Sequence, residues 1–290
     1  MPVAPALRSG WLTATGAISF DRPRIAGVLN VTPDSFWDGG RHAGADRARA
    51  HAERLVEEGA DLLDVGGEST RPGAGSVSVA DELERVLPVV RALVRACPGV
   101  PVSVDTVKAE VADAALAEGA GIINDVSGLR LDPAMGVVVA RHSAGLVLMH
   151  SRGAVDRMAS YELAEYGADP VGDVIRELET AIAHASIAGV QPAAIVLDPG
   201  LGFAKRTEQS IALLAGLHRL VELGYPVMVG PSRKRFIGDL TGGLAAEERL
   251  EGTLAVCVAA LLAGARLFRV HDVRATRRAL DVAEAIRSPR

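Results

Sequence analysis

The stretch VPVSVDTVKAEVADAALAEGAGIINDVSG, Val100 to Gly128, holds one complete structural unit. A short apolar run ends on Asp105, an Ala- and Glu-rich segment of helical period follows and stops at Gly119, and a second apolar run ends on Asn124 and Asp125. Two strands joined by a helical crossover lie parallel, because a tight hairpin would return the chain in the opposite direction. Strands this apolar belong in a sheet that is covered on both faces.

Outward from this unit the pattern repeats. RIAGVLN, DLLDVGG, AGLVLMH, AAIVLDPG, YPVMVG and RLFRVHD bring the strand candidates to eight. Between them lie helical segments such as ADRARAHAERLVEEG, VADELERVLPVVRALVRA, DPVGDVIRELETAIAHASIAG and EERLEGTLAVCVAALLAG, several of them ending in Gly as helix C-termini often do. Eight strand and helix units in 290 residues predict an α/β protein, a single-domain (β/α)₈ barrel over residues 25–290. Residues 1–24 precede it, and GWLTATGAISF alternates enough for a short hairpin expected to plug the bottom of the barrel. Residues 151–168 lengthen the fifth connection and are expected to form a surface excursion. The chain has no internal repeat and no low-complexity linker.

Hydrophobic residues make up 49% and charged ones 23%, which excludes a disordered or fibrous chain. The net charge of −5 leaves no electrostatic footprint for nucleic acid, so any bound anion has to be held by local Lys and Arg. The longest apolar run, Leu254 to Ala263, is too short to cross a bilayer, and no membrane partner is expected. Two cysteines, Cys97 and Cys257, indicate neither a disulfide framework nor a Cys metal site and fit a reducing cytoplasm. The N-terminal MPVAPALRSGWLTATG lacks a basic segment followed by an apolar one, so no signal peptide is expected.

The chemistry lies at the strand ends. Asn30, Asp64, Asp105, Asn124 with Asp125, His150, Asp198, Ser232 and His271 with Asp272 close the apolar runs. Any one of them could simply open a loop; together they would converge on the mouth where barrel active sites sit. NVTPDSFWDGG (Asn30–Gly40) and GGESTRPGAGSVS (Gly66–Ser78) would hang over that mouth as two long loops, either solvated turns or lids that exclude water. In VGPSRKRF, Ser232 is the expected N-cap of a helix, and its three cations are either a solvated charge run or an anion site after strand seven. Arg269 and His271 lie two apart and so share a strand face, and an anion held between them and Lys234 is the reading preferred. Neither a P-loop nor a dinucleotide fingerprint is present. Asp105, Asn124 and Asp198 form the acidic half, suited to a flat heterocycle whose adjacent N–H and NH₂ groups make two parallel bonds to one carboxylate. Asp198 stands out because Gly200 and Gly202 let the backbone turn closely around a ligand, although a core Asp satisfied by backbone fits the same sequence.

Taken in order across Ile25 to Val273, GVLNVTPDSFWDGG, DVGGESTRPGA, VSVDT, NDVSG, LMH, LDPGLGFAK, GPSRKRF and RVHDV resemble the dihydropteroate synthase family. That resemblance implies a (β/α)₈ barrel joining 6-hydroxymethyl-7,8-dihydropterin diphosphate to 4-aminobenzoate, a sulfonamide target, with diphosphate lost first in an SN1-like step. Carried over by motif, Asp105, Asn124, Met149, Asp198, Gly230 and Lys234 would hold the pterin. Asn30, Arg269 and His271 would hold the diphosphate, with Asn30 also helping to bind Mg²⁺. Phe36, Thr70, Arg71, Pro72, Phe203, Lys234 and Arg235 would form the aminobenzoate site. Asp38, Asp105, Lys234 and Arg269 would carry the catalysis: acids steady the cationic methylene and cations draw off the diphosphate. An aromatic amine is nucleophilic without a general base, which accounts for the lack of a catalytic triad.

The chain departs from the family pattern at Ala204 and Arg206, where Gly and Thr are frequent, at Ser151, where Met is, at Arg235, where Ser is common, and at Phe36 and Trp37, which add an aromatic. The alternatives are a non-catalytic pterin-binding paralogue and the pterin-binding barrel of a folate-dependent methyltransferase, which has no need of a diphosphate site. His42, His51, His142, His184 and His218 show no ligand spacing and are expected at the surface. LEGTLAVCVAALLAG is apolar nearly all round, and with the resemblance it implies a homodimer.

Overall fold

The computed structural model describes residues 10–31, 41–69, 75 and 77–288. A hairpin of β1 (Gly10–Thr13) and β2 (Gly16–Ser19) leads into β3 (Arg24–Asn30), α1 (Arg41–Glu57), β4 (Leu62–Gly66), α2 (Val79–Ala96), β5 (Val102–Asp105) and α3 (Ala109–Ala117). There follow β6 (Ile122–Asp125), α4 (Met135–Arg141), β7 (Gly145–Met149), α5 (Pro170–Ile187), β8 (Ile195–Asp198), α6 (Thr207–Ala215) and α7 (Leu217–Val221). The last elements are β9 (Met228–Val229), α8 (Arg235–Leu240), α9 (Leu250–Leu262), β10 (Leu267–Val270) and α10 (Val273–Arg287). Strands β3 to β10 form one parallel sheet in the order β8-β7-β6-β5-β4-β3-β10-β9, and a parallel bridge from Leu197 to Val227 brings its two edges together. The barrel expected from the strand and helix alternation is the one observed.

Helix boundaries follow their local chemistry. Ser78 caps α2 by accepting from the Asp81 amide at 3.1 Å, and Asp169 caps α5 by accepting from the Gly172 amide at 3.0 Å, with Pro170 at the first helical position. The expected cap at Ser232 is not made. Its hydroxyl lies 2.9 Å from His271 Nδ1 instead, Arg233 takes a left-handed φ of 58°, and the helix opens later, at Arg235. Residues 151–168 contain no helix or strand, in line with the expected excursion.

The two-residue period of the strands divides them into two faces. Leu63 and Val65, Val102 and Val104, and Phe268 and Val270 pack outward in the main core, which takes in the buried faces of the helices. Leu62, Ile122, Val147, Val196, Met228 and Leu267 form a separate cluster inside the barrel with Trp11 and Phe20. Trp11 is fully buried and its indole N–H donates to the Ala194 carbonyl at 2.8 Å, so the hairpin plugs the bottom of the barrel. Two residues further along each of those six strands stand Asp64, Asn124, Met149, Asp198, Gly230 and Arg269. The alternation that seals the bottom therefore aims this second set inward as well, one step nearer the mouth.

Candidate active site

Arg269 is the hub of the mouth. Its Nε donates to Asp64 Oδ2 at 2.6 Å and its Nη2 to Asp105 Oδ2 at 2.9 Å. Asp64 also accepts from Ser103 Oγ at 2.6 Å and from Asn124 Nδ2 at 3.3 Å. Asn124 Oδ1 is buried and has no hydrogen-bond partner among the described residues. A buried acceptor left in that state costs about 1–3 kcal/mol, which an incoming donor would recover. Burial pushes the Asp105 carboxyl up to about 7, opposed by Arg269 and reinforced by Asp64. Burial also works against the Arg269 charge, but Asp64 and Asp105 overcome it and its pKa is raised. Asp125 differs from its neighbour Asn124: it accepts from the Ser127 amide and hydroxyl and from the Leu129 amide, and so caps a turn.

The second acid, Asp198, ends β8 and is 4% exposed. Its Oδ1 accepts from the Gly200 amide at 2.7 Å, and burial raises its pKa against the pull of Lys234. Lys234 donates to the Leu201 carbonyl, and its ammonium stands 4.4 Å from the centre of the Phe203 ring. Burial lowers its pKa to about 8, with Asp198 opposing that shift and Arg269 adding to it. The turn between these residues needs glycine: Gly200 has φ +65°, and a Cβ there would stand 1.9 Å from the His150 carbonyl oxygen. Met149 lines the same region with Val107, Val126 and Met158, and Phe203 packs against that cluster.

Asn30 lies beside Asp105 across Gly66: a Cβ on Gly66 would be 3.7 Å from both Asn30 Oδ1 and Asp105 Cβ. Gly230 likewise leaves room beside Arg269, whose Cβ would be 3.6 Å from a Gly230 Cβ. The three cations of the SRKR run separate. Arg233 makes a bidentate pair with Asp272 at 2.8 and 3.1 Å, Lys234 enters the mouth, and Arg235 lies exposed with its guanidinium 3.7 Å from the centre of the Tyr161 ring. Arg206 approaches the same ring at 5.5 Å, so two departures from the family pattern meet on one tyrosine of the excursion.

The structure thus brings together Asn30, Asp105, Asn124, Met149, Asp198, Phe203, Gly230, Lys234 and Arg269, with His271 beside Ser232 at the edge. Phe36, Asp38, Thr70, Arg71 and Pro72 lie outside the described residues. The site set read from the sequence omits Asp64, although Asp64 was among the polar strand ends; its place two residues after the inner Leu62 is the signal that finds it. His51 is half-buried rather than at the surface, and with Arg54, Glu58, Arg233, His271 and Asp272 it lines a hollow.

A family model for pterin binding enzymes matches residues 26–271. The dihydropteroate synthase of Synechocystis is 44% identical over 265 residues, covering 91% of this chain and 90% of its own length. The solved dihydropteroate synthase of Xanthomonas albilineans with 4-aminobenzoic acid superposes with a TM-score of 0.87 at 48% identity, covering 99% of this chain and 100% of that one. The Thermus thermophilus dihydropteroate synthase in complex with 6HMPPP superposes at 0.82 with 44% identity, covering 96% and 99%.

Proposed function

This chain belongs to the dihydropteroate synthases among the pterin-binding enzymes, and from that premise we propose how its residues divide the reaction. The enzyme is a transferase that condenses 6-hydroxymethyl-7,8-dihydropterin diphosphate with 4-aminobenzoate, giving 7,8-dihydropteroate and diphosphate in folate biosynthesis.

In our reading Asp105, Asn124, Asp198 and Lys234 grip the pterin, with Met149 and Gly230 against the ring. The observation that carries this is Asn124 Oδ1, set among buried acids and unpartnered among the described residues, an acceptor open to a ring donor. Arg269, Asn30 and His271 take the diphosphate, and the guanidinium would exchange part of its hold on Asp64 and Asp105 for the substrate's charge. As the C–O bond breaks, the electron pair leaves with the diphosphate and positive charge grows on the pterin methylene. Asp105, and Asp38 from the first loop, steady that charge. The aminobenzoate nitrogen then forms the C–N bond and releases its proton. Phe36, Thr70, Arg71, Pro72, Phe203, Lys234 and Arg235 enclose the benzoate and exclude water.

Asn30 supplies one neutral oxygen, and among the described residues no group of three His, Cys, Asp or Glu side chains could hold a metal. Mg²⁺ binds through few protein oxygens and keeps waters and substrate phosphates as its other ligands, so Asn30 suits an ion that arrives with the diphosphate. There the ion would offset the charge of the leaving group.

A turnover assay with both substrates tests the whole reading: pterin binding without product would favour a non-catalytic paralogue. Asp38→Ala is expected to lower turnover far more than pterin diphosphate binding, and equal loss of both would count against its role in the bond-breaking step. Leu240, Leu262, Val282 and Ile286 are more than half exposed on α8, α9 and α10, which supports a homodimer through these late helices. Light scattering that finds only monomer at micromolar concentration would overturn the dimer. Among the described residues no helix is long and apolar enough to cross a membrane, and Cys97 and Cys257 are buried and unpaired, which supports a cytoplasmic enzyme.

A further inference from the structure

Lys205 is a lysine without access to solvent, 1% exposed in the turn that follows Asp198. Its Nζ lies 2.8 Å from His150 Nδ1, 3.3 Å from the His150 carbonyl oxygen, 3.0 Å from that of Gly200 and 2.9 Å from that of Phe203. Burying an amine this fully is unfavourable unless acceptors replace its water, and here four converge. His150 is set up as one of them. Burial and the nearby Lys205 lower its pKa to about 4, so the ring is neutral at neutral pH. Its Nε2–H donates to Glu177 Oε2 at 2.9 Å, leaving Nδ1 to accept from the lysine.

The bonds of Lys205 bear on the pterin acid through one residue. Gly200 is held at both amide ends: its N–H donates to Asp198 Oδ1 at 2.7 Å and its carbonyl accepts from Lys205 at 3.0 Å. The same lysine holds the carbonyl of Phe203, whose ring lies under Lys234.

We propose that Lys205 is a positioning residue of the pterin site: by gathering the carbonyls of Gly200 and Phe203 against the end of β7, it turns the Gly200 N–H onto Asp198 and leaves the other carboxylate oxygen for the ligand. The proposal rests on the reading of Asp198 as a pterin acid and goes beyond it, since Lys205 is buried and is not among the residues assigned to either substrate.

A double-mutant cycle on the full chain tests it, with pterin-6-carboxylate as a non-reacting probe and affinity read by calorimetry. Lys205→Met is expected to weaken binding about ten-fold, the value of one lost bond to a charged group, and Asp198→Asn about a hundred-fold. The double variant is expected to bind no more weakly than Asp198→Asn alone, because residues that act as one unit are not additive. Wild-type affinity in folded Lys205→Met, or losses that simply add, overturns the proposal. Wild-type affinity in Asp198→Asn overturns the assignment of Asp198, and this proposal with it. Should Lys205→Met give no folded protein, Lys205→Gln, whose amide is one atom shorter and keeps only part of these bonds, is expected to show a smaller loss than Asp198→Asn, and undiminished binding there overturns the proposal.

Discussion

The two ends of one barrel interior are built on opposite principles. At the bottom, Leu62, Ile122, Val147, Val196, Met228 and Leu267 close around Trp11 with no ionised group among them. Two residues along the same strands, Asp64, Asn124, Asp198 and Arg269 put three buried carbonyl-bearing side chains and a half-buried guanidinium at the mouth. The bottom is satisfied by packing alone. Among the described residues the mouth is satisfied only in part, since two acids share one Arg269 and Asn124 keeps an open acceptor. The contrast teaches that the plugged end supplies the stability against which an under-satisfied, ligand-seeking end can be maintained.

The sharpest way to break this division is Arg269→Met. It removes the cation for the diphosphate and leaves Asp64 and Asp105 without their partner. kcat/KM is expected to fall about 10³-fold, and urea unfolding to report a loss of about 3–5 kcal/mol from the uncompensated charges. A variant with near-normal turnover would mean that the diphosphate is held elsewhere. At the other end, Trp11→Ala opens a cavity in the plug and is expected to lower unfolding free energy by about 3–5 kcal/mol. KM for both substrates should stay within about two-fold in the folded enzyme, because distant sites act independently. A large change in KM would show that the two ends are coupled.

The pH profile sharpens the account of the mouth. Asp105 is raised to about 7, so it is largely neutral below that pH and becomes a carboxylate above it. Lys234 is lowered to about 8, so it is charged below that pH and loses its charge above. If both charged forms are required, kcat/KM for the pterin diphosphate rises towards pH 7 and falls beyond pH 8, a narrow bell. In Lys234→Arg any remaining activity should lose the alkaline limb, since a guanidinium stays charged there. The smallest effect is expected at the rim. Arg235→Ala should raise KM for aminobenzoate by about three- to ten-fold with kcat little changed, because an exposed cation is screened by solvent.

The barrel was legible because each strand carries an apolar run and most helices carry their own stop signals. RIAGVLN became β3 to the residue, and VADELERVLPVVRALVRA became α2. The strand-end acids were legible for the same reason, since a strand has only one C-terminal end. Asp64 was visible as such an end but not as the partner of Arg269, because that pairing joins residues 205 apart in the chain. Ser232 read as a helix cap from local spacing, but His271, from the next strand, competes for its hydroxyl. Lys205 had no signal beyond a cation in a glycine-rich turn, since its acceptors are the carbonyls of a fold not yet formed.

The order of residues by itself determined eight parallel strands, the inward alternation along each, and which chemical groups stand at their ends, for these depend on periods of two and on local turn chemistry. Only the tertiary structure decided which acid meets which base, which lysine is stripped of water and which acceptor is left open. Those outcomes depend on distances between separate strands and on burial, and neither exists until the sheet has closed.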